Sequence, residues 1–123
     1  MSTPLKTDDK TTIAPEVLST IASLTTLQVP GVSRLSTTPI SHVKGLFKPR
    51  QHTQGVTLEV KDDSVFVDIY VIMESDVNIQ EVGREIQHRV ARAISEMVGM
   101  KVGRINIHVE DIDFPSESEA SQS

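Results

Sequence analysis

The run Val65–Met73 constrains the fold more than any other part of the chain. It is dense in β-branched residues and alternates strictly, so it reads as a strand and not as a helix. Val65, Val67, Ile69, Val71 and Met73 share one fully apolar face. Phe66, Asp68, Tyr70 and Ile72 share the other, which is only partly polar. Upstream, Val56, Leu58 and Val60 alternate with Thr57, Glu59 and Lys61, and Asp62–Asp63–Ser64 supplies a tight turn between the two strands. This hairpin belongs at the centre of a sheet. Downstream, Asn78 and Glu81 form a capping box, and Val77 with Val82 forms a hydrophobic staple. The helix they open carries Val82, Ile86, Val90, Ala93, Ile94 and Met97 on its buried stripe. Glu85–Arg89 and Arg92–Glu96 pair on its outer side, and Gly99 ends it. Ile105, Ile107 and Val109 then alternate with Arg104, Asn106, His108 and Glu110 in a last strand. Strand, helix and strand make one β-α-β crossover, which places the last strand parallel to Val65–Met73.

Before the hairpin, Ile13–Leu27 reads as a helix with Pro15 at its first position and Val17, Leu18, Ile21 and Leu24 as its apolar stripe. Pro30–Gly31 stops it. Gly31–Thr38 reads as a short strand, and His42–Gly55 as a loop or a single anchored turn. The expected architecture is α+β: a two-layer sandwich of a small mixed sheet with two helices on one face, in the order helix-strand-strand-strand-helix-strand. Residues 12–114 form one domain, flanked by disordered tails at 1–11 and 115–123.

Function classes narrow by exclusion. The 123 residues include no Cys, which removes disulfides, thiolate chemistry and Cys-ligated zinc. Asp68 interrupts the longest apolar run, and the N-terminus lacks the apolar core of a signal peptide, so direct membrane insertion is not expected and a cytoplasmic protein is. No phosphate-binding glycine motif occurs, and His42, His52, His88 and His108 are too scattered for a metal site; no cofactor is expected. The formal net charge of −5 argues against specific nucleic-acid binding. One local exception is the acid-free stretch holding His42, Lys44, Lys48, Arg50 and His52, which offers an anionic surface or a nucleic acid a weak, salt-sensitive contact. A further candidate surface is the wet face of the sheet, with Phe66, Asp68, Tyr70, Ile72, Arg104, Asn106 and His108. A His beside a carboxylate can act as a base, but no motif places a nucleophile, so a small enzyme is the weakest reading. The apolar members of that face favour a contact with partners or with a second copy.

Taken together, these segments resemble the alkaline shock protein family, the general or envelope stress family of mainly Gram-positive bacteria. The resemblance spans Thr12 to Asp113. It rests on Ile13–Ala14–Pro15–Glu16–Val17, Val29–Pro30–Gly31–Val32, Val65–Phe66–Val67–Asp68–Ile69–Tyr70–Val71, Val77–Asn78–Ile79–Gln80–Glu81–Val82, Met97–Val98–Gly99–Met100 and Ile105–Asn106–Ile107–His108–Val109. It implies a non-catalytic, self-associating cytoplasmic protein tied to cell-envelope homeostasis and stress, which a separate anchor protein can hold at the membrane. It carries over no catalytic residue.

Overall fold

The computed structural model describes residues 12–36, 51–53 and 55–114. Its elements are α1 (Pro15–Leu27), β1 (Val32–Leu35), β2 (Gln51–Thr53), β3 (Val56–Lys61), β4 (Ser64–Glu74), α2 (Ile79–Val98) and β5 (Lys101–Asp113). The strands make one mixed sheet centred on β4. β5 pairs with one edge of β4 in parallel, from Ser64↔Lys101 to Glu74↔Asp113. Two antiparallel strands share the other edge in series: β3 from Lys61↔Ser64 to Val56↔Ile69, then β1 from Leu35↔Val71 to Val32↔Met73. The expected α+β sandwich is therefore present, with the hairpin at its centre.

The core lies between one sheet face and both helices. Val65, Val67, Ile69, Val71 and Met73 are each at most 1% exposed and pack with Leu18, Ala22, Ile86, Val90 and Ile94. Burying such side chains is worth about 1.5–3 kcal/mol apiece, so this face fixes the register of the whole sheet. The Asp62–Asp63 turn joins β3 to β4 with both residues at positive φ, 53° and 67°, as a two-residue hairpin of right-handed twist requires. Asn78 caps α2: its Oδ1 accepts from the Glu81 backbone N–H at 3.1 Å. Gly99 closes the other end at φ 79°, its N–H donating to the Ile94 and Ser95 carbonyls.

Four details depart from the sequence reading. The buried side of α1 consists of Leu18, Ser19, Ala22, Ser23 and Thr26, whereas Val17 and Leu24 face outward at 47% and 56% exposure. This helix packs beside α2 on the same sheet face, over β1, β2 and β3, and small side chains let it approach both neighbours. On α2 the inward row is Val82, Ile86, Val90 and Ile94, continued by the half-buried Val98. Met97 points away at 69% exposure, because the row advances in steps of four and not three. The stretch read as a loop contains β2, whose Gln51, His52 and Thr53 pair with Leu58, Thr57 and Val56. Finally, β5 is longer at both ends than Arg104–Val109, with irregularities in its register around Gly103 and Glu110.

Candidate functional site on the open sheet face

β4 and β5 run in register and set their even-numbered side chains side by side on the face away from the helices: Phe66 beside Arg104, Asp68 beside Asn106, Tyr70 beside His108. The pairs interact as well as align. The Arg104 guanidinium carbon lies 5.8 Å from the centre of the Phe66 ring, within cation–π range. Asp68 Oδ1 accepts hydrogen bonds from Asn106 Nδ2 at 3.1 Å and from His108 Nε2 at 2.9 Å. The Tyr70 and His108 rings stack at 4.5 Å between centroids and 13° between planes. Asp68 thus ties the polar half of the face together, while the two aromatic rings are held by a cation and by an imidazole. Gly103 makes room for this. A Cβ there would stand 2.6 Å from the Phe66 ring, so any larger residue would displace that ring from the surface.

Not every expected member reaches solvent. Phe66, Asp68, Tyr70, Asn106 and His108 are half-buried and Arg104 is exposed, but Ile72 is only 7% exposed, with Arg34 and Asp111 as its cross-strand neighbours. Thr57, opposite Asp68 on β3, is also buried. The apolar content of the surface is therefore two rings and not three large side chains in a row. His42, Lys44, Lys48 and Arg50 fall outside the described residues, as do the two tails; His52 is placed in β2 through its backbone.

A second cluster has no counterpart in the sequence pattern. At the far end of the sheet Asp113 Oδ2 accepts from Ser33 Oγ at 2.5 Å and lies 3.6 Å from Arg34 Nε. The Ser33 hydrogen bond holds the Asp113 carboxyl below its ordinary range; desolvation opposes it, and the Arg34 charge and hydrogen bond add to the lowering. Eighty residues separate these partners, and no local pattern announces such a contact.

Chemically, the open face combines two aromatic rings with a cation, a carboxylate, an amide and an imidazole. The groove beside it, lined by Glu59, Lys61, Phe66, Asp68, Arg104 and Asn106, measures about 220 Å³. That is below the roughly 300–1,000 Å³ of sites that enclose small molecules. Among the described residues no three His, Asp or Glu side chains gather as a metal site would need, and no helix is long and apolar enough to cross a membrane. Half-buried aromatics with a polar surround are the composition of protein interfaces.

Comparison with known proteins agrees on both sequence and fold. The family model for the alkaline shock protein 23 family, described by a cell envelope-related function, matches residues 4–114. The uncharacterized protein YqhY of Bacillus subtilis is 28% identical over 113 residues, covering 92% of this chain and 84% of that protein. The uncharacterized protein Spy1535 of Streptococcus pyogenes is 35% identical over 101 residues, covering 81% and 76%. Among solved structures, a variant of the MamM C-terminal domain superposes with a TM-score of 0.55 at 12% identity, over 81% of this chain and all of that one. At that identity the likeness is one of fold alone.

Proposed function

The chain belongs to the alkaline shock protein family, whose function is related to the cell envelope, and from that premise we propose that it is a non-enzymatic, self-associating protein of envelope homeostasis and stress response that works through protein partners. The open face of β4 and β5 is the surface it offers to those partners. The observation that carries this reading is the set of contacts along the face: His108, bonded to Asp68, stacks on Tyr70, and Arg104 lies over Phe66, so both rings stand within a polar surround. Rigid aromatic anchors lose little conformational entropy on binding, and such residues dominate the energetics of interfaces. In this reading the protein is cytoplasmic, and a membrane anchor protein of the same envelope system holds it at the membrane.

Fractionation of host cells tests the face. The wild type is expected in the envelope fraction and Tyr70→Glu in the soluble fraction, with circular dichroism confirming that the variant is folded. Tyr70 is half-buried at the surface, so the substitution leaves the core untouched. An identical distribution of the two folded proteins would remove the open face from the function.

A further inference from the structure

We propose that two copies of the chain join through β5, antiparallel about a two-fold axis at Ile107, so that their sheets become one. The inference rests on the self-association put forward above and names the surface that produces it.

β5 is 13 residues long, and among the described residues it pairs with β4 alone. Soluble proteins normally blunt so long an edge with Pro, with Lys, or with bulges along its length. Between the irregularities near Gly103 and Glu110, the segment Arg104–Val109 runs regularly and contains neither Pro nor Lys. Its charges instead divide by end: Lys101 and Arg104 precede the middle, while Glu110, Asp111 and Asp113 follow it. Such a strand is complementary to itself in one direction only. With Ile107 opposite Ile107 of the second copy, Ile105 faces Val109 and Asn106 faces His108, each pair occurring twice by symmetry, and Arg104 at the end of the regular segment comes beside Glu110 of the second copy, where the irregularity begins. Parallel pairing in register would set Arg104 against Arg104 and acid against acid. Opposite charges across a strand pair stabilise it and like charges destabilise it, so the charge pattern selects a second antiparallel copy as the occupant.

The helix layer is built to continue in the same way. Beside β5, a groove of about 260 Å³ is lined by Ile79, Gln80, Gly83, Arg84, Gln87, Ile107 and Val109. Ile79 and Val109 are 40% and 38% exposed, an apolar strip at the rim of an otherwise covered sheet face. The Gln87 carboxamide donates to the Ile105 carbonyl at 2.9 Å and ties the helix flank to the strand. Gly83 leaves open space where a Cβ would stand, room for a second helix to come close. Edge pairing would close the two strips over each other beneath the joined sheet. It would also leave Phe66 and Tyr70 uncovered on the opposite face, available to the partner proposed above.

Sedimentation velocity of the full chain over a concentration series tests the arrangement. Arg104→Glu and Glu110→Arg each turn two attractive pairs into two repulsive ones, and each is expected to weaken dimerisation about tenfold. The double variant Arg104→Glu/Glu110→Arg is expected to dimerise like the wild type. Within one strand these residues are six positions apart, about 20 Å at 3.3 Å per residue, so restoration in the double variant arises only between copies. Circular dichroism excludes unfolding as the cause of either loss. A wild type that stays monomeric at about 100 μM would overturn self-association altogether. A dimer that both single reversals leave intact would overturn the β5 edge alone.

Discussion

Ser23 carries the clearest residue-scale consequence, because its hydroxyl is buried on the inner face of α1 with no hydrogen-bond partner among the described residues. Its neighbours on the same face solve the problem differently: Thr26 Oγ1 donates to the Ala22 carbonyl at 2.7 Å and Ser19 Oγ to the Glu16 carbonyl at 3.1 Å. An unsatisfied buried hydroxyl is a cost, and alanine is also the better helix former. Ser23→Ala is therefore expected to raise stability by about 1 kcal/mol, measured by urea unfolding; a loss of stability would mean that the hydroxyl has a partner. The same face shows why the apolar stripe of α1 is not its buried side. Large apolar residues at helical spacing mark an amphipathic helix, but where a helix sits close to two neighbours, the inward positions go to Ala, Ser and Thr. Val17 and Leu24 were the visible signal and Ala22 and Thr26 the buried surface.

At the scale of elements, legibility followed local chemistry. α2 was readable because its start and stop are both written in side chains, Asn78 at one end and Gly99 at the other. Removing the first of these is expected to cost about 0.5–2 kcal/mol. Asn78→Ala should show that loss in denaturant melts, and an unchanged midpoint would show that the cap contributes nothing. β4 was readable from its alternation, since one of its faces is wholly core. β5 was legible only in its middle: Lys101, Asp111 and Asp113 break the apolar pattern, yet their backbones keep pairing because β4 continues beside them. β2 lacked any apolar alternation and exists through its ladder to β3. Of the open face, the strand pairing and polar alternation were visible in sequence. Burial of Ile72, and the Gly103 gap that admits the Phe66 ring, depend on neighbours across the sheet.

Across the whole molecule, Asp113 links the last strand to the first. Its carboxyl is held below the ordinary aspartate range by Ser33 first and Arg34 next, so the folded state favours its ionised form. The linkage has a definite sign. A lowered pKa in the folded state contributes stability that is present above the unfolded-state value and is lost as pH falls through the folded-state value. Asp113→Asn is thus expected to melt below the wild type at neutral pH, and the gap is expected to close in acid; thermal melts across that range check it, and a gap that widens in acid would contradict the assignment. The contact is exposed and its effect correspondingly small. A larger consequence follows from how β4 is flanked. Its eleven residues are aligned by three ladders drawn from separate parts of the chain: β5 along one edge, β3 and then β1 along the other. A slip by one residue would turn every core side chain outward and would have to be repeated in all three partners at once. The alignment of the central strand is therefore encoded redundantly, and a substitution that blurs one copy of that information leaves two others to correct it.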